Sequence, residues 1–122
     1  MSEKSDNAAQ VQAMLEVMWK NSRPIVAERV RTLRHAQQSI VEGTLDVIAR
    51  KDAESEAHKL AGILGTFGLP QGSAIALKIE HLMAQQREFT AWQQNELANW
   101  LDGLEIQINS KDEYADPRET AI

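Results

Sequence analysis

The sequence predicts an all-α fold, and three observations carry that prediction. Val, Ile, Tyr and Phe do not gather into alternating runs, and aromatic residues make up only 5% of the chain, so strands have no pattern to form on. Apolar residues recur instead at three- and four-residue steps along most of the length. The six glycines and three prolines mostly stand where those periodic runs break. Short connections between amphipathic helices favour antiparallel neighbours. The expected architecture is therefore an antiparallel up-and-down four-helix bundle with an additional short N-terminal helix over one end.

The elements follow in order. Residues 1–7 are polar and are expected to be disordered. A first, short helix is predicted over residues 8–20, with Val11, Met14, Leu15 and Met18 at helical spacing and Trp19 beside them. The stretch "NSRP" then punctuates the chain: Asn21 or Ser22 can cap a new helix, and Pro24 suits a first turn, where a missing N–H costs little. The second helix is predicted over 24–41 on a stripe of Ile25, Val26, Val30, Leu33 and Ile40, with Arg23, Arg29, Arg31 and Arg34 around its wetter faces. Gly43 reads as its stop and Thr44 as a cap for the third helix, predicted over 45–67. That helix carries Leu45, Ile48, Ala53, Ala57, Leu60, Ala61 and Leu64, and Gly68 and Pro70 end it. A fourth helix from residue 72 or 73 to about 87 uses Ile75, Ile79, Leu82 and Met83. Thr90 can cap a fifth, reaching residue 109 on Leu97, Trp100, Leu101, Leu104 and Ile108. The predicted bundle thus spans residues 8–109, and 110–122 read as a flexible acidic tail or linker.

Composition excludes several function classes. A chain of 122 residues holds one domain. It contains no cysteine, which removes disulfides and thiolate metal sites. The net charge is -5 and the 13 basic residues are dispersed, so no basic face for nucleic acid is expected. No apolar run is long enough to span a membrane, and "MSEKSDNAAQ" has no apolar core of a signal peptide. The expected location is the cytoplasm. Neither G-x-x-x-x-G-K-[ST] nor a kinase-type glycine loop is present, so ATP binding is not expected.

The stretch "HKLAGILGTFGLPQG", residues 58–72, holds one histidine and four glycines. At about 100° per residue, Ala53, Ala57, Leu60, Ala61 and Leu64 share one arc, and His58 stands roughly 115° from its centre. His58 therefore projects from the flank or solvent side, on a strip with Lys51, Glu54 and Ser55. Gly62, four residues on, is its surface neighbour. Glycine inside a helix costs about 0.5–1 kcal/mol relative to alanine, so Gly62 and Gly65 need a reason. Close approach by another body is one; close packing of a neighbouring helix is the other.

These residues resemble a known family. "AHKLAGILGTFGLP" followed by "ALKIEHLM" looks like the histidine-containing phosphotransfer (HPt) domain of two-component signalling. The resemblance rests on His58, Leu60, Ala61 and Gly62, then Phe67-Gly68, then Ile79-Glu80, within residues 8–109. It implies a helical bundle whose exposed His58 accepts a phosphoryl group from a receiver-domain aspartate and passes it to another receiver. It implies a phosphoryl carrier without kinase activity of its own, with no cofactor except Mg²⁺ on the partner receiver. Response-regulator receivers or a hybrid histidine kinase are the implied partners, with neither nucleic acid nor membrane. The family's usual lysine three residues after the histidine is Ala61 here, and Lys59 is the nearest basic residue in sequence, though on the other flank of the helix. Lys59, Gly62 and Glu80 are the candidate residues supporting phosphate and partner, Glu80 as acceptor of an imidazole N–H. The alternative function is a helical adaptor that binds a receiver or other signalling protein without phosphorylation. His35, His58 and His81 fall on three helices with no ligand spacing, so no metal site is expected.

Overall fold

The computed structural model describes residues 3–113, with side-chain surroundings over 7–112. It has four helices, α1 (Glu3–Glu42), α2 (Val47–Thr66), α3 (Pro70–Ala84) and α4 (Ala91–Glu113), and no strand among the described residues. Each helix touches two neighbours: α1 lies against α2 and α4, and α3 against the same two. The all-α expectation thus matches the described residues.

The separate short N-terminal helix does not exist as such. α1 runs unbroken through Pro24, and residues 3–7, expected to be disordered, belong to it. Proline in a helix interior withholds an N–H and costs about 3 kcal/mol. Packing on both sides of it offsets that cost. Trp19, Val26, Val30, Leu33, Ala36 and Ile40 form one buried stripe in a single register across the proline. Trp19 meets Phe67 edge-on, with ring centroids 5.4 Å apart, and its Nε1–H donates to Asp112 at 2.9 Å. Arg23, next to the proline, pairs with the same Asp112 at 2.7 Å. The segment before Pro24 is thereby tied to both α2 and α4 and has no freedom to turn away.

The other boundaries shift by a few residues for local reasons. α1 ends at Gly43, whose φ of +72° is left-handed and lets Thr44 N–H reach Ser39 O at 2.8 Å. Asp46, not Thr44, caps α2, accepting from Ala49 N–H at 2.7 Å. Gly68 (φ +77°) closes α2, and α3 starts at Pro70 because the first helical position needs no N–H. Thr90 and Gln93 cap α4 reciprocally, Gln93 N–H donating to Thr90 Oγ1 and Thr90 N–H to Gln93 Oε1. α4 extends to Glu113 rather than 109, and the rest of the expected tail, 114–122, lies outside the described residues.

The core lies between the four helices, with Val26, Leu33, Leu60, Leu64, Ile79, Met83, Leu97, Leu101 and Leu104 fully buried. α2 and α3 pack most closely. Ala53, Ala57 and Ala61 on α2 and Gly72 and Ala76 on α3 are buried there, and small side chains let the two backbones approach. Several residues expected to point inward do not. Val11, Met14 and Met18 are exposed because α2 ends level with Trp19, and in the turns of α1 before it Leu15 takes the inward position and packs against the core. Ile25 and Ile48 are also exposed. Three of the four arginines are engaged within the chain: Arg23 with Asp112, Arg29 with Glu56, and Arg34 with Asp102 and Glu105.

Candidate functional site

His58 sits in the middle of α2, away from the buried alanine and leucine face, and its side chain is 71% exposed. Glu80 on α3 stands opposite, half-buried, with Oε1 2.9 Å from His58 Nδ1. In the neutral ring this contact selects the tautomer with the proton on Nδ1, donated to the carboxylate. The lone pair is then on Nε2, the outer nitrogen. An imidazole held in this way presents one aimed, unprotonated nucleophile to solvent.

Gly62 lies one turn beyond His58. A Cβ built on it would meet nothing within 4 Å. Helix packing therefore gives no reason for this glycine, and the space beside the imidazole is open. Gly65 differs: its Cβ would stand 3.4 Å from Ser73 Oγ, whose hydroxyl donates to Ala61 O at 2.8 Å. That glycine belongs to the close contact of α2 with α3. The two glycines that look equivalent in sequence thus face different surroundings.

Lys59 is not brought to the histidine. It faces the groove between α1 and α2, lined also by Arg29, Thr32, Asp52 and Glu56, and its Nζ is 3.9 Å from Glu56 Oε1. His58 and Glu80 line a different groove, between α2 and α3, with Lys51, Glu54 and Ser55. Lys51 is therefore the basic residue that shares the histidine's groove. The signal for it was present in the sequence: seven residues is two helical turns, about 20° from alignment. Sequence proximity to His58 pointed to Lys59 instead. Among the described residues, no three His, Asp or Glu side chains are grouped to hold a metal ion.

A model of the Hpt domain family matches residues 14–107. The chain belongs to the Hpt domain family. No curated protein and no solved structure matches it. An Hpt domain is a phosphocarrier of two-component phosphorelays that exchanges phosphoryl groups with receiver domains, and this chain's role is of that class. Among the described residues no helix is long and apolar enough to cross a membrane.

Proposed function

We propose that His58 is the phosphoryl-accepting residue of this Hpt domain, and that it takes the group from a receiver aspartyl phosphate and passes it to a second receiver. One observation carries the reading: an exposed imidazole whose Nδ1 is occupied by Glu80, with open space at Gly62 one turn along the helix. The lone pair on Nε2 forms the N–P bond as the P–O bond to the receiver's aspartate breaks, and the carboxylate leaves with the electron pair. The same steps in reverse load the next aspartate. Glu80 stays on the Nδ1 proton throughout and supports the positive charge the ring gains as the N–P bond forms.

The chain contributes position more than charge neutralisation, since phosphoryl transfer depends on in-line placement and electrostatic support. Mg²⁺ and a further cation come from the receiver in this reading. Lys51 is the chain's own candidate for attracting phosphate oxygens. Lys59 is committed to the neighbouring groove and is at most a rim charge that affects encounter. Gly62 leaves the approach to the imidazole unobstructed. An antiparallel course of the helices is part of the same reading. Arg23 meets Asp112 while Arg34 meets Asp102, so the chain descends α4 as it rises along α1. The proposed location is the cytoplasm.

The test is to mix the chain with a receiver carrying labelled aspartyl phosphate. The parent should acquire an acid-labile, base-stable label, and His58→Gln should acquire none while keeping its helical circular dichroism. Equal labelling of His58→Gln would remove the assignment. Receiver binding with no label on the parent would favour the adaptor reading instead.

A further inference from the structure

The first twelve described residues of α1, 3–14, run about 18 Å past Leu15, which still packs against the core at the end of the bundle. The family match starts only at residue 14, so most of this overhang lies outside what defines the family. It is not a featureless polar helix. Val11, Met14 and Met18 are exposed, Met14 63% and Met18 48%, and Leu15 beside them is only partly buried. Their spacing of three and four residues puts them on a single stripe, with Val11, Met18 and Ile25 one heptad apart and Met14 between the first two. A lone helical segment of this length is marginal in water, and an apolar stripe on it favours a partner.

The pattern of charge indicates which partner. The positions flanking the stripe, Ala8, Gln10, Val17 and Ser22, carry no charge, and Glu16 and Lys20 project from the far side by helix geometry. A partner selected by opposite charge would need charged flanks. Uncharged flanks suit an identical stripe laid antiparallel: the 11–14–15–18 pattern then repeats symmetrically about its centre, and Lys4, one heptad before Val11 in the sequence, falls at the far end of the pair and not against its own copy. The residues after Glu113 are a poor match, because Tyr114 and Ile122 are their only large apolar side chains and stand eight apart. We infer that the N-terminal overhang of α1 is a self-association surface, on which a second copy of this chain lays its own overhang as a two-stranded helical pair. The stripe is short against the roughly 800 Å² that each partner gives to a stable interface, so the dimer should dissociate in the micromolar range.

The experiment uses the full chain. Its mass in sedimentation equilibrium should rise from 13.7 kDa toward twice that value between micromolar and millimolar concentration. Met14→Glu should weaken association at least ten-fold while retaining helical circular dichroism and phosphotransfer at low concentration. Because the chain has no cysteine, Met14→Cys gives a single thiol on the stripe and Glu16→Cys a single thiol on the far face. Under mild oxidation the first should cross-link into a dimer and the second should not. His58→Gln should dimerise like the parent, so this result is independent of the phosphotransfer assignment. A single-copy mass at every concentration, or equal cross-linking of the two cysteine variants, would overturn the inference and leave the stripe to a different protein.

Discussion

Replacing Gly62 separates a glycine kept for access from one kept for packing. With no atom within 4 Å of its would-be Cβ and no positive φ, the position tolerates a side chain sterically. Gly62→Ala should then gain the full helix-propensity difference, about 0.8–1 kcal/mol. In a chain of this size that raises the melting temperature by about 3–5 °C, read by circular dichroism at the helical band. Gly62→Leu should be stabilised by a similar amount, because leucine's propensity is close to alanine's. The two should part in phosphotransfer. A methyl group one turn from the imidazole leaves Nε2 accessible. A leucine side chain there covers the approach, and a displacement of about 1 Å in reacting geometry costs about 100-fold. Rapid-quench measurement of label leaving a phosphorylated receiver should show Gly62→Ala near the parent rate and Gly62→Leu slower by about two orders of magnitude. Gly72→Ala is the internal control. Its Cβ would stand 3.1 Å from Leu64 Cδ1, and Leu64 is fully buried and cannot give, so this variant should lose stability. Parent-like transfer by Gly62→Leu, or a destabilised Gly62→Ala, would refute the reasoning.

Glu80→Ala should slow phosphotransfer by about ten-fold and mix the two ring tautomers of His58 in ¹⁵N spectra. Glu80→Gln, whose side-chain oxygen can still accept from Nδ1–H, should restore the single tautomer. Pro24→Ala returns a backbone N–H to the middle of α1 and should stabilise the fold by about 1–2 kcal/mol, less than the full proline penalty because the unfolded chain also gains freedom. Trp19→Ala empties the site between Phe67 and Asp112 and should cost about 3–5 kcal/mol in denaturant unfolding. Arg50→Ala removes donors to the carbonyls of Met83 and Arg87 and a guanidinium 4.2 Å from the Phe89 ring, and should cost about 1–2 kcal/mol in the same assay.

What the sequence made legible follows from how local each signal is. The buried faces of α2, α3 and most of α4 could be read directly, because Ala53, Ala57, Leu60, Ala61 and Leu64 report their own burial through a 3.6-residue period. The outward placement of His58 came from the same arithmetic. Pro24 misled because its local rule is sound, and the forces that override it come from residues 67 and 112, more than forty positions away. Val11, Met14 and Met18 misled in the opposite sense. Periodicity shows that a stripe exists, but not that a neighbouring helix is long enough to cover it.

Lys59 and Lys51 make the same distinction inside the site. Adjacent residues on a helix are about 100° apart, so Lys59 necessarily leaves the face that His58 occupies, while Lys51, seven positions back, returns to it. The family's lysine position is filled by Ala61, which is buried against the core and has no route to the groove. If the phosphoryl group on His58 needs a cation from this chain, α2 can therefore offer it only from two turns away. A lysine side chain spans about one turn of helix rise at full extension, so Lys51 can reach over the groove toward Glu54 and Ser55 but falls about a turn short of His58. In the proposed transfer, the neutralising charge is then assigned mainly to the partner receiver. That places selectivity in the shape and openness of the surface around His58 and Gly62 rather than in a resident cation.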